Sequence, residues 1–291
     1  MIPHEIIRKV RYIEIKTRNI VNNLFGGEYH SAFKGMGMEF AEVREYYPGD
    51  DVRAIDWNVT ARTGKPYIKK YEEERELTMM LMIDVSASGF YGTDKMLKSD
   101  IMIELASILS FSAIKNNDKV GLLLFSDKIE KYIPPKKGKT HVLRLIRELI
   151  YHEAKDRGTE IAHALDTIQN ILKRKSIIFL LSDFWDESFY QSMKCLNNKH
   201  DLVNIQILDQ SESIFPEMGM IKIHDAENKK ASWVDTSSHD NHNSISNLML
   251  NKKNYIHKFC RYNNIDIIQI NTKDGYIEPL VNFFNSRLRK Q

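Results

Sequence analysis

A mostly parallel α/β sheet covered by helices on both faces is the fold predicted for this chain, on three observations. Apolar runs of strand length alternate with longer stretches in which apolar residues recur at helical spacing, the signature of strand–helix–strand units. The two most apolar runs, Leu77 to Val85 and Ser176 to Ser182, have the length of buried strands and are too short to cross a bilayer. A content of 42% hydrophobic and 28% charged residues over 291 positions is that of an ordinary globular chain, enough for one large domain or two smaller ones.

The elements follow in order. Residues Pro3 to Leu24 are predicted to form an amphipathic helix: Pro3 suits a first turn, and Ile6, Val10, Ile13, Ile20, Val21 and Leu24 recur at helical spacing before Gly26 and Gly27 stop it. Its polar face is basic, yet packing against the protein is a simpler role than lying on a membrane surface. From Gly35 to Glu76 the texture changes to glycines, a turn at Tyr46 to Asp51 and strand-like pieces such as Pro66 to Tyr71. Residues 1–75 are therefore expected to form an N-terminal helical and β-rich module, and residues 76–291 the α/β domain. In that domain the strands are expected at Leu77 to Val85, Lys119 to Ser126, Ser176 to Ser182, Leu202 to Leu208 and Ile265 to Ile270. Helices are expected at Lys95 to Asn116, Thr140 to His152, Glu160 to Lys173, Glu187 to Lys199, Ser246 to Tyr262 and Tyr276 to Arg289. Residues Lys128 to Ile133 read as an edge strand hairpinned to the strand before. Residues 210–245 break the alternation and are expected to be an insertion, with a hairpin around Asn228 followed by a polar loop.

Charge names no partner, because 42 basic and 39 acidic side chains nearly balance. In residues 35–76, ten Asp and Glu outnumber seven Lys and Arg, which argues against nucleic-acid binding by that module. Cys195 and Cys260 lie far apart, and Glu5, Arg8, Lys9, Arg11 and Glu14 interrupt the apolar N-terminus, so no secretory leader or integral membrane segment is expected. Reduced thiols and a cytoplasmic location follow as expectations.

Ligands of such sheets bind beyond the carboxyl ends of the strands, and two strands end in carboxylates. One runs into Asp84-Val85-Ser86-Ala87-Ser88, a spacing that turns a carboxylate and two hydroxyls toward one point; the other ends at Ser182-Asp183. Between them in sequence, Arg157-Gly158-Thr159 precedes a helix, where Thr159 also suits a cap. Asp84, Ser86, Ser88, Thr159 and Asp183 are oxygen donors without His or Cys, which suits a hard ion that keeps some of its waters: Mg²⁺ first, with Mn²⁺ or Ca²⁺ as alternatives. Taken singly, each more often serves as a turn former or cap; the case for a metal rests on their joint order. Asp84 is expected to face solvent from its loop.

The Asp84 to Ser88 run resembles the D-x-S-x-S core of the metal-ion-dependent adhesion site (MIDAS) of von Willebrand factor A domains, with Thr159 and Asp183 matching the later threonine and aspartate. The resemblance implies a Rossmann-type, von Willebrand A-like sheet. It also implies that Ser86, Ser88 and Thr159 coordinate the ion directly, that Asp84 and Asp183 act largely through water, and that a vacant position accepts a partner's carboxylate. Upstream, Gly35 to Tyr46, Pro48-Gly49-Asp50-Asp51-Val52-Arg53-Ala54-Ile55-Asp56-Trp57 and Ala61-Arg62 are similar to the bacterial family called domain of unknown function (DUF) 58, and that resemblance runs from about Phe33 through the final helix. It implies an association with a MoxR-type AAA+ ATPase, as a companion in chaperone-like assembly or activation, and the chain as a whole is expected to act by binding, with a client as a second partner, rather than by catalysis.

In the module itself, Arg44, Arg53 and Arg62 near Asp50, Asp51, Asp56 and Trp57 suit either an internal network with an arginine stacked on the indole, or a docking surface made of Arg53, Asp56, Trp57 and Arg62. The alternative function is a Mg²⁺-dependent phosphohydrolase with Asp84 as phosphoryl acceptor. It lacks the second aspartate two residues on, where Ser86 stands, and so has no assigned acid. Arg62-Thr63-Gly64-Lys65-Pro66 lacks the upstream glycine and hydroxyl residue of a phosphate loop and reads as a turn. The pairs His200-Asp201, His224-Asp225 and His239-Asp240 sit in unrelated settings and suit solvated positions better than a ligand set.

Overall fold

The computed structural model describes residues 4–24, 32–33, 38–73, 76–90, 97–152, 158–186, 188–209, 219–224, 231–235 and 254–290. In chain order these form α1 (His4–Leu24), β1 (Met38–Glu45), α2 (Trp57–Thr63), β2 (Tyr67–Glu73), β3 (Thr78–Asp84), α3 (Lys98–Lys115), β4 (Lys119–Phe125), β5 (Ile129–Lys136) and α4 (Lys139–Tyr151). They continue with α5 (Ile161–Ile171), β6 (Ile177–Ser182), α6 (Tyr190–Lys199), β7 (Asp201–Leu208), β8 (Met220–His224) and β9 (Ala231–Asp235). A helix at residues 254–262, here α7, precedes β10 (Asp266–Asn271) and α8 (Ile277–Lys290).

Six strands make one sheet in the order β10-β7-β6-β3-β4-β5. Every neighbouring pair is parallel except β4 and β5, the hairpin expected at the edge. Successive residues of β3 feed opposite faces: Met79, Leu81 and Ile83 join a cluster with α3, α4 and α8, while Met80 and Met82 join one with α5, α6 and α7. Burial on both faces is why these strands are apolar throughout. Helix α3 is buried from Ile101 to Ala113, because the sheet covers one side of it and α1 and α4 the other. Its one buried carboxylate, Glu104, accepts from Lys16 Nζ at 2.6 Å and from the Tyr276 hydroxyl. The expected insertion contains the β8–β9 antiparallel hairpin; the polar loop after it, including His239 and Asp240, lies outside the described residues.

Helix α1 packs on α3 and α4 with Ile13, Thr17 and Val21 buried. Thr17 is tolerated inside because its hydroxyl donates back to the Ile13 carbonyl at 2.6 Å. The N-terminal segment also inserts Phe33 into the main core, edge-on to Phe179 and Phe284 and beneath the Arg287 guanidinium at 4.6 Å. In the chain between Phe33 and β3, β1 and β2 pair antiparallel with a bulge between Phe40 and Glu42. Gly64, at φ 73°, ends α2, so the fragment that mimics a phosphate loop is a helix C-cap. Cys195 and Cys260 are free thiols. Among the described residues no helix is long and apolar enough to cross a membrane.

Burial pushes the Cys260 thiol up to about 11, against a hydrogen bond from Asn204 that lowers it. A thiol that stays protonated in the core is a poor nucleophile. In native protein at pH 8, iodoacetamide is expected to alkylate Cys195 and spare Cys260, with both modified in urea, as read by peptide mass spectrometry.

Candidate functional site

Strands β3 and β6 are hydrogen-bonded neighbours with Ile83 opposite Leu181, so the residues that follow them emerge side by side. This brings Asp84 and Asp183 to one point at the carboxyl edge. The segment carrying Thr159 is tied to the adjoining strand, β4, by the Glu160 amide donating to the Ser126 carbonyl at 3.0 Å. It is tied to the loop after β6 by the Ile161 amide donating to Asp186 Oδ2 at 2.9 Å. The three predicted loops therefore do meet at one edge of the sheet, with Thr159 half-buried among them. Arg157 lies outside the described residues.

Asp84 departs from expectation, being 3% exposed rather than facing solvent. Its flanks are β4 and β6, and both its oxygens are engaged: Oδ1 accepts from the Ser86 amide at 3.0 Å and Oδ2 from the Ser182 hydroxyl at 2.7 Å. Burial, reinforced by the negative charge of Asp183, raises its pKa to about 7, and the hydrogen bonds from Ser182 and Ser86 oppose that rise. The Ser86 and Ser88 hydroxyls stand 3.0 Å apart. Asp183 is as deeply buried; its Oδ2 accepts from Lys98 Nζ at 3.1 Å, while its Oδ1 has no hydrogen-bond partner among the described residues. A buried carboxylate oxygen without a donor is costly unless a cation meets it. A cavity of about 260 Å³ opens on one side of Asp84 and Ser86, lined also by Ile83, Met102 and His152 but not by Ser88, Thr159 or Asp183.

The backbone after Asp183 is held in an uncommon conformation. Phe184 has φ 60°, a left-handed value that costs a bulky side chain roughly 1–3 kcal/mol. It is fixed there by its amide donating to Ser182 Oγ at 3.0 Å and by its ring packing 5.7 Å from that of Phe189. Sequence reasoning misses three residues of this site. Ser182 reads in the chain only as part of a strand end, Asp186 ties the Thr159 segment to the β6 loop, and Lys98 sits in a first helical turn, where a lysine is ordinarily solvated. Among the described residues no group of three or more His, Cys, Asp and Glu side chains gathers to hold a metal. The two carboxylates and neighbouring hydroxyls here form an oxygen-rich set that suits a hard ion.

Between β1 and β2, Asp56 is turned inward: its carboxylate accepts from the amides of Asn58 at 3.0 Å and Val59 at 3.3 Å and caps α2. Arg44 makes a two-pronged pair with Asp50 at 2.8 and 2.7 Å and lies over the Tyr47 ring, where an arginine on the indole of Trp57 was one expectation. Trp57, Arg53 and Arg62 are exposed, beside the exposed Tyr47 and Val52.

Neutral Asn at position 84 preserves the shape while removing a charge from a buried site. In chelator at pH 8, Asp84→Asn is expected to melt at or above the wild-type temperature, and saturating Mg²⁺ to raise only the wild type. A clear fall in the metal-free midpoint would make the Asp84 carboxylate a structural acceptor first.

A six-stranded, mostly parallel sheet in this order, with carboxylates and hydroxyls gathered at the carboxyl ends of its two central strands, defines a von Willebrand A-like domain. The chain belongs to the family described as protein of unknown function DUF58, which matches residues 42–254 and so spans both the β1–β2 module and most of the sheet. An uncharacterized protein of Mycobacterium tuberculosis is 29% identical over 222 residues, 75% of this chain and 70% of that one. The uncharacterized protein YeaD of Bacillus subtilis is 30% identical over 109 residues, 38% of this chain and 25% of its own. Among solved structures, an aerotolerance-related membrane protein from Bacteroides fragilis superposes with a TM-score of 0.48 at 14% identity, covering 74% of this chain and all of that one. The SpRpn10 VWA domain gives a TM-score of 0.38 at 12% identity over 72% of this chain and 95% of its own.

Proposed function

We propose that this chain is a cytoplasmic, metal-dependent protein-binding module that grips an acidic residue of its partner through one divalent cation, Mg²⁺ or alternatively Mn²⁺ or Ca²⁺. The observation that carries this reading is the buried Oδ1 of Asp183, without a hydrogen-bond donor among the described residues, beside Asp84 and the paired Ser86 and Ser88 hydroxyls. Ser86, Ser88 and Thr159 would hold the ion, with Asp84 and Asp183 acting largely through water. Such an ion keeps acceptor capacity for an external carboxylate, because its own shell is mostly neutral. The partner we assign is a MoxR-type AAA+ ATPase, with a client protein as a second; this follows from the DUF58 family resemblance. Exposed Arg53, Trp57 and Arg62 offer a second contact, while Asp56 supports that surface by capping α2.

The phosphohydrolase reading gains nothing from the geometry. Both oxygens of Asp84 already accept hydrogen bonds, and position 86, where an acid would be needed, is a serine. Calorimetry with Mg²⁺ and Mn²⁺ tests the ion directly: weak binding at one site is expected for the wild type and none for an Asp84→Asn, Asp183→Asn double variant. Equal binding by both proteins would remove these residues from the site.

A further inference from the structure

Lys98 is fully buried, the first residue of α3, with its ammonium 3.1 Å from Asp183 Oδ2. Two effects disfavour a lysine there. The first turn of a helix is the positive end of its dipole and disfavours a cation. A buried ammonium also costs several kcal/mol unless charges and hydrogen bonds compensate it. Its position is nevertheless determined, because α3 is packed between the sheet, α1 and α4, and the lysine stem reaches from its first turn to the end of β6. The ammonium meets Asp183, whose Oδ1 has no hydrogen-bond partner among the described residues, and Asp84 is buried at the end of the neighbouring strand.

We infer that Lys98 is a resident cation of this site, a positioning residue that aims Asp183 and sets how strongly the site holds a divalent ion and an incoming carboxylate. Without an ion, Lys98 offsets the negative charge of Asp183. With a divalent ion bound, Lys98 places a second positive charge beside it, which repels the ion and attracts an Asp or Glu of the partner. Lys98 thus weakens the hold on the ion and strengthens the hold on the acidic ligand. The part of this inference that concerns the ion rests on the function proposed above.

The two effects have opposite signs, which a merely space-filling lysine would not produce. Titrating Mn²⁺ into wild type and Lys98→Met by calorimetry should show at least about tenfold tighter binding by the variant, while the Mn²⁺-loaded variant binds an acidic partner peptide more weakly. In chelator, Lys98→Met should melt lower than wild type and recover more than wild type on adding Mn²⁺. A Lys98→Met, Asp183→Asn variant should regain metal-free stability and lose the gain in Mn²⁺ affinity. Mn²⁺ binding by Lys98→Met alone would uphold Lys98 as the resident cation and remove the divalent ion from the natural function. Wild-type binding with no gain in Lys98→Met would keep the metal reading and overturn this one. Silence in both proteins, or a double variant that also fails to fold, would overturn it as well.

Discussion

Binding of the MoxR-type ATPase proposed as partner is expected to fall by about 30-fold to several thousand-fold when Mg²⁺ is removed with chelator, the equivalent of roughly 2–5 kcal/mol for a charge-assisted interaction at an interface. Ser86→Ala with Ser88→Ala should reproduce the loss, since their hydroxyls stand 3.0 Å apart beside Asp84 and neither is needed to fill the core. The N-terminal surface should fail differently. Arg53→Ala or Trp57→Ala should weaken the complex even with saturating Mg²⁺, because those exposed side chains lie on a separate element from the ion site. Asp56→Ala should act through stability instead, since the carboxylate satisfies two amides of α2 and losing such a cap costs about 1 kcal/mol. A calorimetric titration with the ATPase, in Mg²⁺ and then in excess chelator, separates these cases. Undiminished affinity in chelator would leave the domain a metal-independent scaffold.

Arg287→Ala is expected to destabilise the protein by about 3 kcal/mol, the lower end of what breaking a buried ion pair costs. Its guanidinium donates to Asp201 at 2.7 and 2.5 Å and to Asp266 at 2.7 Å, joining the starts of β7 and β10, and it lies over Phe33 and Phe283. Removing it leaves two partly buried carboxylates facing each other and uncovers the ring that anchors the N-terminal segment. Urea unfolding should show the loss as a lower midpoint, and thermal melts as a fall of roughly 6–12 °C for a domain of this size. Arg287→Lys should recover only part of it, because an ammonium cannot reproduce the planar fork that grips Asp201. A midpoint within about 0.5 kcal/mol of wild type would show that these pairs are solvated in practice.

Much of this architecture is local in origin and therefore legible in the chain. A strand buried on both faces must be apolar along its whole length, so β3, β4, β6 and β7 stand out as runs, and the polar residue that ends each run marks the sheet edge. Asp84 and Asp183 are legible for this reason, as is the β4–β5 hairpin. The module is harder to read because its charges have several chemically equivalent partners. Asp50 takes Arg44, and Asp56 takes backbone amides, whereas sequence spacing alone allows either to face a partner.

The sequence by itself determined the alternation of strands and helices, the family, and the two strand-end carboxylates, all of which depend on residues close together in the chain. Only the tertiary structure decided what surrounds those carboxylates. Lys98 meets Asp183 across 85 residues and Ser182 meets Asp84 across 98, pairings that exist because β3 and β6 are neighbours and α3 crosses behind them. No local pattern marks a lysine that will be buried, since the same residue in the same first turn would be solvated if its helix lay at the surface. Asp84 is enclosed for a related reason: being central is a property of strand order, which is fixed by how the helices pack on the assembled sheet.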